Sequence, residues 1–362
     1  MASQSPFGKA TRVRLLKQHL TDFGNITAAS AWKFLYEELL WIDGSTGLAH
    51  LYESDKAQPG RPWYDRTVLF TDLLCDLFGE ITRDQLKQRI DRLFRACLQK
   101  AVEFPPEASL PVEAVDDLEE TLRNLQSPIY LRSSDDVEPY TPDASLVAEF
   151  SSLLMQYARM PQSQAESLAH DLVSRARYYF TVERKRQNVL GEGFEDLLQL
   201  LIEKVSQVPS DRIVVRRRAN LLPGFQNTSS TRDRIEAPDI AIVHNERTAL
   251  LASVKWSLRH DRQKQLSDEL DCYASLLSQK EFPRYVLVTN EYDPGRLINT
   301  NGLKTRGQKV DCIYHINLDI LLQVLENHHR SVDLMPLIVS GRLRSISSFF
   351  EDLKQEFGTS HG

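Results

Sequence analysis

The sequence predicts an α/β protein in which a helical N-terminal part precedes a core built around a mixed β-sheet. In the first half, apolar residues recur at helical spacing in residues 27–40, 67–78 and 83–102. In the second half, residues 194–208 continue this helical pattern, and short β-like runs follow. These runs cover residues 213–217, 239–243, 249–256 and 284–289, with a helical segment at 261–277 between the last two. This order of helices and strands is typical of an α/β arrangement around a mixed sheet.

The chain divides into two predicted domains at a segment rich in serine, aspartate and proline. Residues 128–142 have this composition, which is typical of a linker or an exposed loop. We therefore expect a helical N-terminal domain over residues 1–143 and an α/β domain over residues 144–362. Two further predicted helices, at 144–160 and 162–185, open the second domain.

The composition is that of an ordinary globular protein, with 41% hydrophobic and 26% charged residues among 362. No run of about 18 apolar residues is present, so we expect no membrane-spanning helix and no membrane partner. Residues 1–17 are polar and basic and lack the apolar centre of a signal peptide, which predicts a cytoplasmic protein. The four cysteines are widely spaced without a CxxC pair, which favours reduced, buried thiols over a zinc site.

The net charge of −6 argues mildly against a nucleic-acid partner, but the charge is unevenly distributed. Residues 175–262 carry many arginine and lysine side chains, whereas acidic residues cluster elsewhere, as at 113–120 and 135–138. A local basic cleft could therefore hold DNA on a molecule that is acidic as a whole.

Asp239 and Lys255 are the first residues to which we assign chemistry. Asp239 follows a proline at the start of one predicted strand, and Lys255 lies at the end of the next. A short turn at 244–248 would pair these strands in antiparallel fashion and bring the two side chains together. Hydrolysis of a phosphodiester needs carboxylates that hold a divalent metal and a cation that offsets charge on the phosphate. Asp233 and Glu236 are alternative candidates for the strand acid.

This pair resembles the active-site motif of the PD-(D/E)XK nuclease superfamily, except that Ser253 replaces the acid two positions before the lysine. The same replacement is a feature of the type II restriction endonucleases that recognise CCGG, the BsaWI- and NgoMIV-like enzymes. In that family a glutamate on the following helix supplies the missing carboxylate. Glu269 stands fourteen positions after Lys255, which fits the spacing of the family. Asp268 and Asp271 are local competitors for this role.

The residues from Lys255 onwards read K-W-S-L-R-H-D-R and resemble the sequence-reading motif of the CCGG enzymes, K-x-x-x-R-x-D-R. Arginine is the preferred bidentate partner of guanine in the major groove, and aspartate accepts from cytosine N4. The resemblance therefore implies that Arg259, Asp261 and Arg262 read a CC/GG half-site, which a two-fold dimer would double into a palindrome. Asp261 is also a good N-cap residue for the predicted helix in its own right.

The resemblance implies three further site residues upstream. The family has a glutamate on the first helix of its catalytic core, and Glu195 occupies a comparable place, where it would assist Asp239 and Glu269 in holding the metal. Arg186 and Gln187 are expected to contact DNA. An acidic residue in the first turn of a helix also interacts favourably with the helix dipole, which is the alternative explanation of Glu195.

For function, the resemblance implies a Mg²⁺-dependent bacterial endonuclease with a restriction-endonuclease-like PD-(D/E)XK core. It would cut double-stranded DNA at a palindrome with a CCGG core, leave 5′ overhangs and use Lys255 to position the attacking water. It further implies an active homodimer or tetramer, an N-terminal domain that contributes to assembly or DNA contacts, and a cognate methyltransferase acting on the same site. Two alternatives stay open: another nuclease of the superfamily, used in repair or directed at modified DNA, and a DNA-binding regulator with a decayed nuclease core.

Overall fold

The computed structural model describes residues 7–53, 55–102, 144–226 and 235–359, with side chains described except at 101–102 and 175–183. The chain forms two compact units. One consists of Leu16–Leu93 and Leu190–Gly362, and the other consists of Met1–Leu15 and Phe94–Val189. Neither unit coincides with the expected domains, 1–143 and 144–362. Because the predicted linker at 128–142 lies outside the described residues, that division stays a prediction.

The unit formed by Leu16–Leu93 and Leu190–Gly362, here called the sheet unit, contains a mixed sheet in its described residues. The strands are β1 (Ile213–Val215), β2 (Ile240–His244), β3 (Arg247–Lys255), β4 (Arg284–Thr289), β5 (Lys304–Thr305), β6 (Gln308–Lys309), β7 (Cys312–His315) and β8 (Leu343–Ser345). The sheet has the order β1-β2-β3-β4-β7-β8, antiparallel from β1 to β3 and parallel from β3 to β8. Strands β5 and β6 form a separate hairpin. The predicted α/β class with a mixed sheet is confirmed.

Helices occupy much of the rest of the described chain. They are α1 (Lys9–Asp22), α2 (Ala31–Leu39), α3 (Tyr64–Leu77), α4 (Arg83–Arg89), α5 (Arg92–Val102), α6 (Ala144–Ala158), α7 (Gln162–Val205), α8 (His260–Leu276), α9 (Pro294–Asn301), α10 (Leu318–Val324), α11 (Met335–Val339) and α12 (Ile346–Phe357). Within the residues that the structure describes, no helix combines the length and apolar composition needed to cross a membrane.

Two helix predictions differ from the structure. The segment 83–102 forms two helices, because Asp91 between them has a φ of 63°, in the left-handed region that interrupts a helix. Conversely, the predicted helices at 162–185 and 194–208 belong to the single helix α7. The two glycines between them cost about 1 kcal/mol each, and burial of the apolar residues that follow, such as Phe194, outweighs that cost.

The central strands of the sheet are buried, as expected for parallel strands covered on both faces. Leu250 and Leu251 in β3 and Val286 and Leu287 in β4 are fully buried. The four cysteines are free thiols, three of them buried and Cys272 half-buried. The polar side chains at the ends of β3 and β4 are therefore carried by strands that are tightly packed in the core.

The hairpin of β2 and β3 sets the register of the polar residues at its open end. Its two-residue turn consists of Asn245 and Glu246, whose φ angles of 51° and 60° are both left-handed. Two left-handed residues are characteristic of a type I′ turn, whose twist matches that of antiparallel strands. At the other end Ile240 pairs with Ala252, so that Asp239, the residue before β2, lies beside the C-terminal end of β3.

The turn assignment predicts a difference between two substitutions at Glu246. Glycine adopts a left-handed φ without a steric penalty, whereas alanine keeps the strain. We expect Glu246→Gly to have a free energy of unfolding about 0.5 to 1 kcal/mol higher than Glu246→Ala. Urea denaturation of both variants measures this difference, and equal stabilities would contradict the assigned turn.

Candidate active site

Asp239 and Lys255 form the centre of a polar cluster at the C-terminal end of β3. Lys255 Nζ donates to Asp239 Oδ2 at 2.7 Å. The same oxygen accepts the Val254 N–H at 2.7 Å, and Ser253 Oγ lies 3.4 Å from it. The structure thus brings together the two side chains that the hairpin was expected to join, whereas the alternative acid Asp233 lies outside the described residues. The roles of Asp239 and Lys255 stay a prediction.

Glu269 reaches the cluster from helix α8. Its Oε1 lies 3.8 Å from Lys255 Nζ, and its Oε2 accepts the Tyr285 hydroxyl at 2.6 Å. Glu269 is 2% exposed and Lys255 7%, so water screens their attraction poorly. The competing acids on α8 point elsewhere: Asp268 is exposed, and Asp271 forms an ion pair with an exposed arginine.

Glu195 is held beside the cluster by Arg216. The guanidinium of Arg216 forms an ion pair with Glu195, lies 3.2 Å from Asp196 Oδ1 and donates to the Glu192 carbonyl at 2.7 Å. The main-chain N–H of Arg216 donates to the Asp239 carbonyl at 3.2 Å. One arginine therefore links helix α7 to the segment that carries Asp239.

Two residues of this site, Arg216 and Tyr285, could not be recognised from the sequence. Arg216 belongs to a run of three arginines after β1, and nothing local distinguishes it from its neighbours. Tyr285 lies in the apolar strand β4, where its hydroxyl was the available signal, because a buried hydroxyl needs a hydrogen-bond partner. Both side chains find their partners only through contacts between distant segments.

Burial and neighbouring charges raise the pKa of both glutamates. Burial, and next the charge of Asp239, raises the pKa of Glu195 to about 7, against the opposing effect of Arg216. Burial also raises the pKa of Glu269 to about 7, against the attraction of Lys255. For Lys255, burial alone would lower the pKa, but the charges of Asp239 and Glu269 outweigh it and the pKa is raised. Lys255 is therefore an ammonium at neutral pH, and its one charge does not fully compensate the carboxylates around it.

The donor set of this cluster fits a hard divalent cation. Asp239 and Glu269 present carboxylate oxygens from separate segments, and Mg²⁺ prefers oxygen ligands. A cation there would favour the charged form of both glutamates, against the burial and the charge of Asp239 that raise their pKa values. In the part of the chain that the structure describes, no three acidic, histidine or cysteine side chains already form a complete ligand group. Mg²⁺ commonly takes only one or two carboxylates and keeps several waters, so two carboxylates suffice.

Arg259, Asp261 and Arg262 lie at the start of α8, on the helix that carries Glu269. All three are exposed; Asp261 Oδ2 lies 3.7 Å from Arg259 Nη2 and 4.0 Å from Arg262 Nε. The N-cap residue of α8 is Arg259, without a side-chain cap, and Asp261 lies within the first turn. The N-cap alternative for Asp261 is therefore wrong, and its carboxylate is accessible to a partner.

Arg186 and Gln187 lie on helix α7 in the unit formed by Met1–Leu15 and Phe94–Val189. The Arg186 guanidinium stacks over the Phe94 ring at 4.1 Å from its centroid, and Gln187 is exposed. The expected DNA contacts of Arg186 and Gln187 stay predictions.

The raised pKa of Glu269 predicts how stability depends on pH. Between its ordinary pKa of 4.5 and its folded pKa of about 7, the folded protein binds a proton that the unfolded chain does not. Its contribution to the free energy of unfolding therefore falls as pH rises through this window. In EDTA, the wild type should therefore lose stability relative to Glu269→Gln between pH 5 and pH 8. The free energy of unfolding of Glu269→Gln minus that of the wild type should rise by on the order of 2 kcal/mol over this interval.

Urea denaturation at both pH values measures this shift. Glu326→Gln, at an exposed glutamate of the same unit, serves as the matched control and should show no such shift. A difference between Glu269→Gln and the wild type that is the same at both pH values would contradict the buried, charge-crowded site.

The segment that carries most of this cluster is similar to a known enzyme family. The family described as NgoMIV restriction enzyme matches residues 224–354, a little over a third of the chain. The matched segment contains Asp239, Lys255 and Glu269 as well as the exposed residues at the start of α8, whereas Glu195 precedes it. No curated protein sequence matches the chain. The family match supports a restriction endonuclease, a hydrolase that acts on DNA.

Proposed function

We propose that the protein is a type II restriction endonuclease that cuts duplex DNA at a palindromic site with a CCGG core. One observation carries the proposal. Lys255 and Glu269, which meet Asp239 in the cluster, lie on the same short stretch of chain as the exposed side chains of Arg259, Asp261 and Arg262. A cutting centre and a reading surface would then be joined by the end of β3 and the first two turns of α8.

In the cutting centre, Asp239 and Glu269 would hold Mg²⁺ with assistance from Glu195. Bound Mg²⁺ supplies charge neutralisation at the phosphate and makes a water more acidic. Lys255 is protonated and buried against both carboxylates, so it can orient the attacking water through its N–H donors and offset developing negative charge. Ser253 stands where the PD-(D/E)XK motif has an acid, and its hydroxyl lies 3.4 Å from Asp239 Oδ2.

In the reading surface, Arg259 and Arg262 would donate to guanine O6 and N7, and Asp261 would accept from cytosine N4. Asp261 lies near both guanidinium groups, so the three side chains form one exposed group. Each subunit would read one CC/GG half-site, so we propose a homodimer or tetramer as the active form. Staggered cutting would leave 5′ overhangs, and a methyltransferase acting on the same site would protect host DNA.

Other elements have supporting roles in this proposal. Arg186 and Gln187 would contact DNA outside the CCGG core. The helical N-terminal part would contribute to subunit assembly or DNA contacts. These assignments rest on the resemblance and on side-chain type alone.

Plasmid digestion tests the proposed function. With Mg²⁺, unmodified plasmid should give discrete fragments whose sequenced ends share a CCGG core, and prior methylation of CCGG should block cutting. EDTA should abolish the reaction. Cutting without sequence preference, or only of modified DNA, would indicate a different nuclease. Specific binding without any cutting would indicate a DNA-binding regulator.

Lys255→Ala tests the cutting centre within this proposal. We expect the cleavage rate to fall at least about a hundredfold, because water orientation and charge compensation are both lost. Binding to the same duplex in Ca²⁺ should change by less than about tenfold, since the reading residues are untouched. Lys354→Ala, at an exposed lysine of α12, is the control and should cut normally. A Lys255→Ala variant that cuts at the wild-type rate would show that the site is misassigned.

A further inference from the structure

The loop between β3 and α8 carries the proposed reading residues and is tied down at one buried point. Leu258 is fully buried, whereas Ser257 and Arg259 on either side of it are exposed. The main-chain N–H of Leu258 donates to Glu291 Oε2 at 2.6 Å. The residue immediately before the first proposed reader is therefore fixed by a carboxylate from a distant part of the chain.

Glu291 is itself rigidly held. It is 2% exposed, and its Oε1 accepts the Asp293 N–H at 2.8 Å. Arg296 Nη1 lies 3.4 Å from Oε2, and Arg296 Nη2 donates to Glu53 at 2.8 Å. Each carboxylate oxygen of Glu291 thus accepts a main-chain N–H, and an arginine compensates its charge from one side.

Two further hydrogen bonds connect the same two segments. The Asn290 N–H donates to the Trp256 carbonyl at 3.1 Å, at the start of the loop. Gln263 Nε2, in the first turn of α8, donates to the Arg296 carbonyl at 3.1 Å. The Leu258 bond lies between these two, so the segment 290–296 supports the loop at its beginning, middle and end.

We infer that Glu291 is a positioning residue for sequence recognition, which sets the place of Arg259, Asp261 and Arg262 by holding the Leu258 N–H. This inference rests on the proposed function. Reading of base edges requires side chains held within about 0.5 Å of the productive geometry. Asp261 and the two arginines are exposed and make only long contacts with one another, so their position depends on the backbone that carries them.

The strand pairing that holds Lys255 is separate from the bond by which Glu291 holds Leu258. Lys255 pairs with Thr289 in the parallel ladder of β3 and β4, and this pairing does not involve Glu291. Loss of the Leu258 bond should therefore loosen the reading loop while the Lys255 cluster keeps its frame. Phosphate contacts do not depend on base identity, so non-specific affinity should also be kept.

Glu291→Gln provides the test, with Glu53→Gln as the matched control. Glutamine has the same size but one acceptor oxygen, so it cannot accept both the Leu258 and the Asp293 N–H. Glu53→Gln perturbs the same Arg296 from its other side and leaves the Leu258 bond intact. Fluorescence anisotropy in Ca²⁺ would measure binding to two pools of short duplexes with randomised flanks, one with a CCGG core and one with a CGCG core.

We expect Glu291→Gln to lose about tenfold or more of the CCGG preference with unchanged affinity for the CGCG pool, whereas Glu53→Gln keeps the preference within about twofold. Retained preference in Glu291→Gln, or an equal loss in both variants, would overturn the inference. A wild-type protein without any CCGG preference would instead overturn the proposed function.

Amide hydrogen exchange of the wild type keeps the inference testable should Glu291→Gln fail to fold. The Leu258 amide should exchange slowly although its neighbours are exposed, because it is buried and bonded to Glu291. Fast exchange at Leu258, as in an unrestrained loop, would show that Glu291 does not anchor the reading loop.

Discussion

The attraction between the Lys255 ammonium and the carboxylates of half-buried Asp239 and buried Glu269 is the constraint on which the site depends. Burial disfavours the charged forms of these groups. The positive charge of Lys255 and the negative charges of the carboxylates offset this cost by attracting one another. Burial, and after it the charge of Asp239, raises the pKa values of Glu195 and Glu269 to about 7, because one ammonium does not offset these effects. A site with a surplus of buried negative charge is suited to a divalent cation.

The same stretch of chain connects this charge cluster to the exposed side chains beyond it. Strand β3 ends at Lys255, Leu258 anchors the connecting loop, and α8 begins with the exposed arginines before it returns Glu269 to the cluster. Strand β4 and the residues after it support both the charge cluster and the connecting loop. Tyr285 donates to Glu269 in the cluster, and Glu291 holds Leu258 in the loop. The two proposed roles therefore lie on one continuous stretch of chain, but different side chains carry them and different contacts hold them, Thr289 pairing with Lys255 and Glu291 with Leu258.

Much of this arrangement could be predicted from the sequence where the signal was local. The β-like runs at 239–243 and 249–256 and the short turn between them predicted the hairpin, and the hairpin brings Asp239 to Lys255. The continuity of α7 through two glycines could not be predicted, because it depends on the burial of residues such as Phe194. Arg216, Tyr285 and Glu291 were missed for a related reason. The contacts of Arg216 with Glu195, of Tyr285 with Glu269 and of Glu291 with Leu258 each join residues more than ten positions apart in sequence, and nothing in their own neighbourhoods marks them.

Mn²⁺ binding to the protein–DNA complex, followed by electron paramagnetic resonance, tests the central claim most directly. The account predicts that the wild type binds Mn²⁺ and that Asp239→Asn weakens this binding at least about tenfold, because a carboxylate ligand is lost. Asp268→Asn, next to Glu269 but exposed, should bind Mn²⁺ as the wild type does. Equal Mn²⁺ affinity in Asp239→Asn and the wild type would contradict a metal site at the Lys255 cluster.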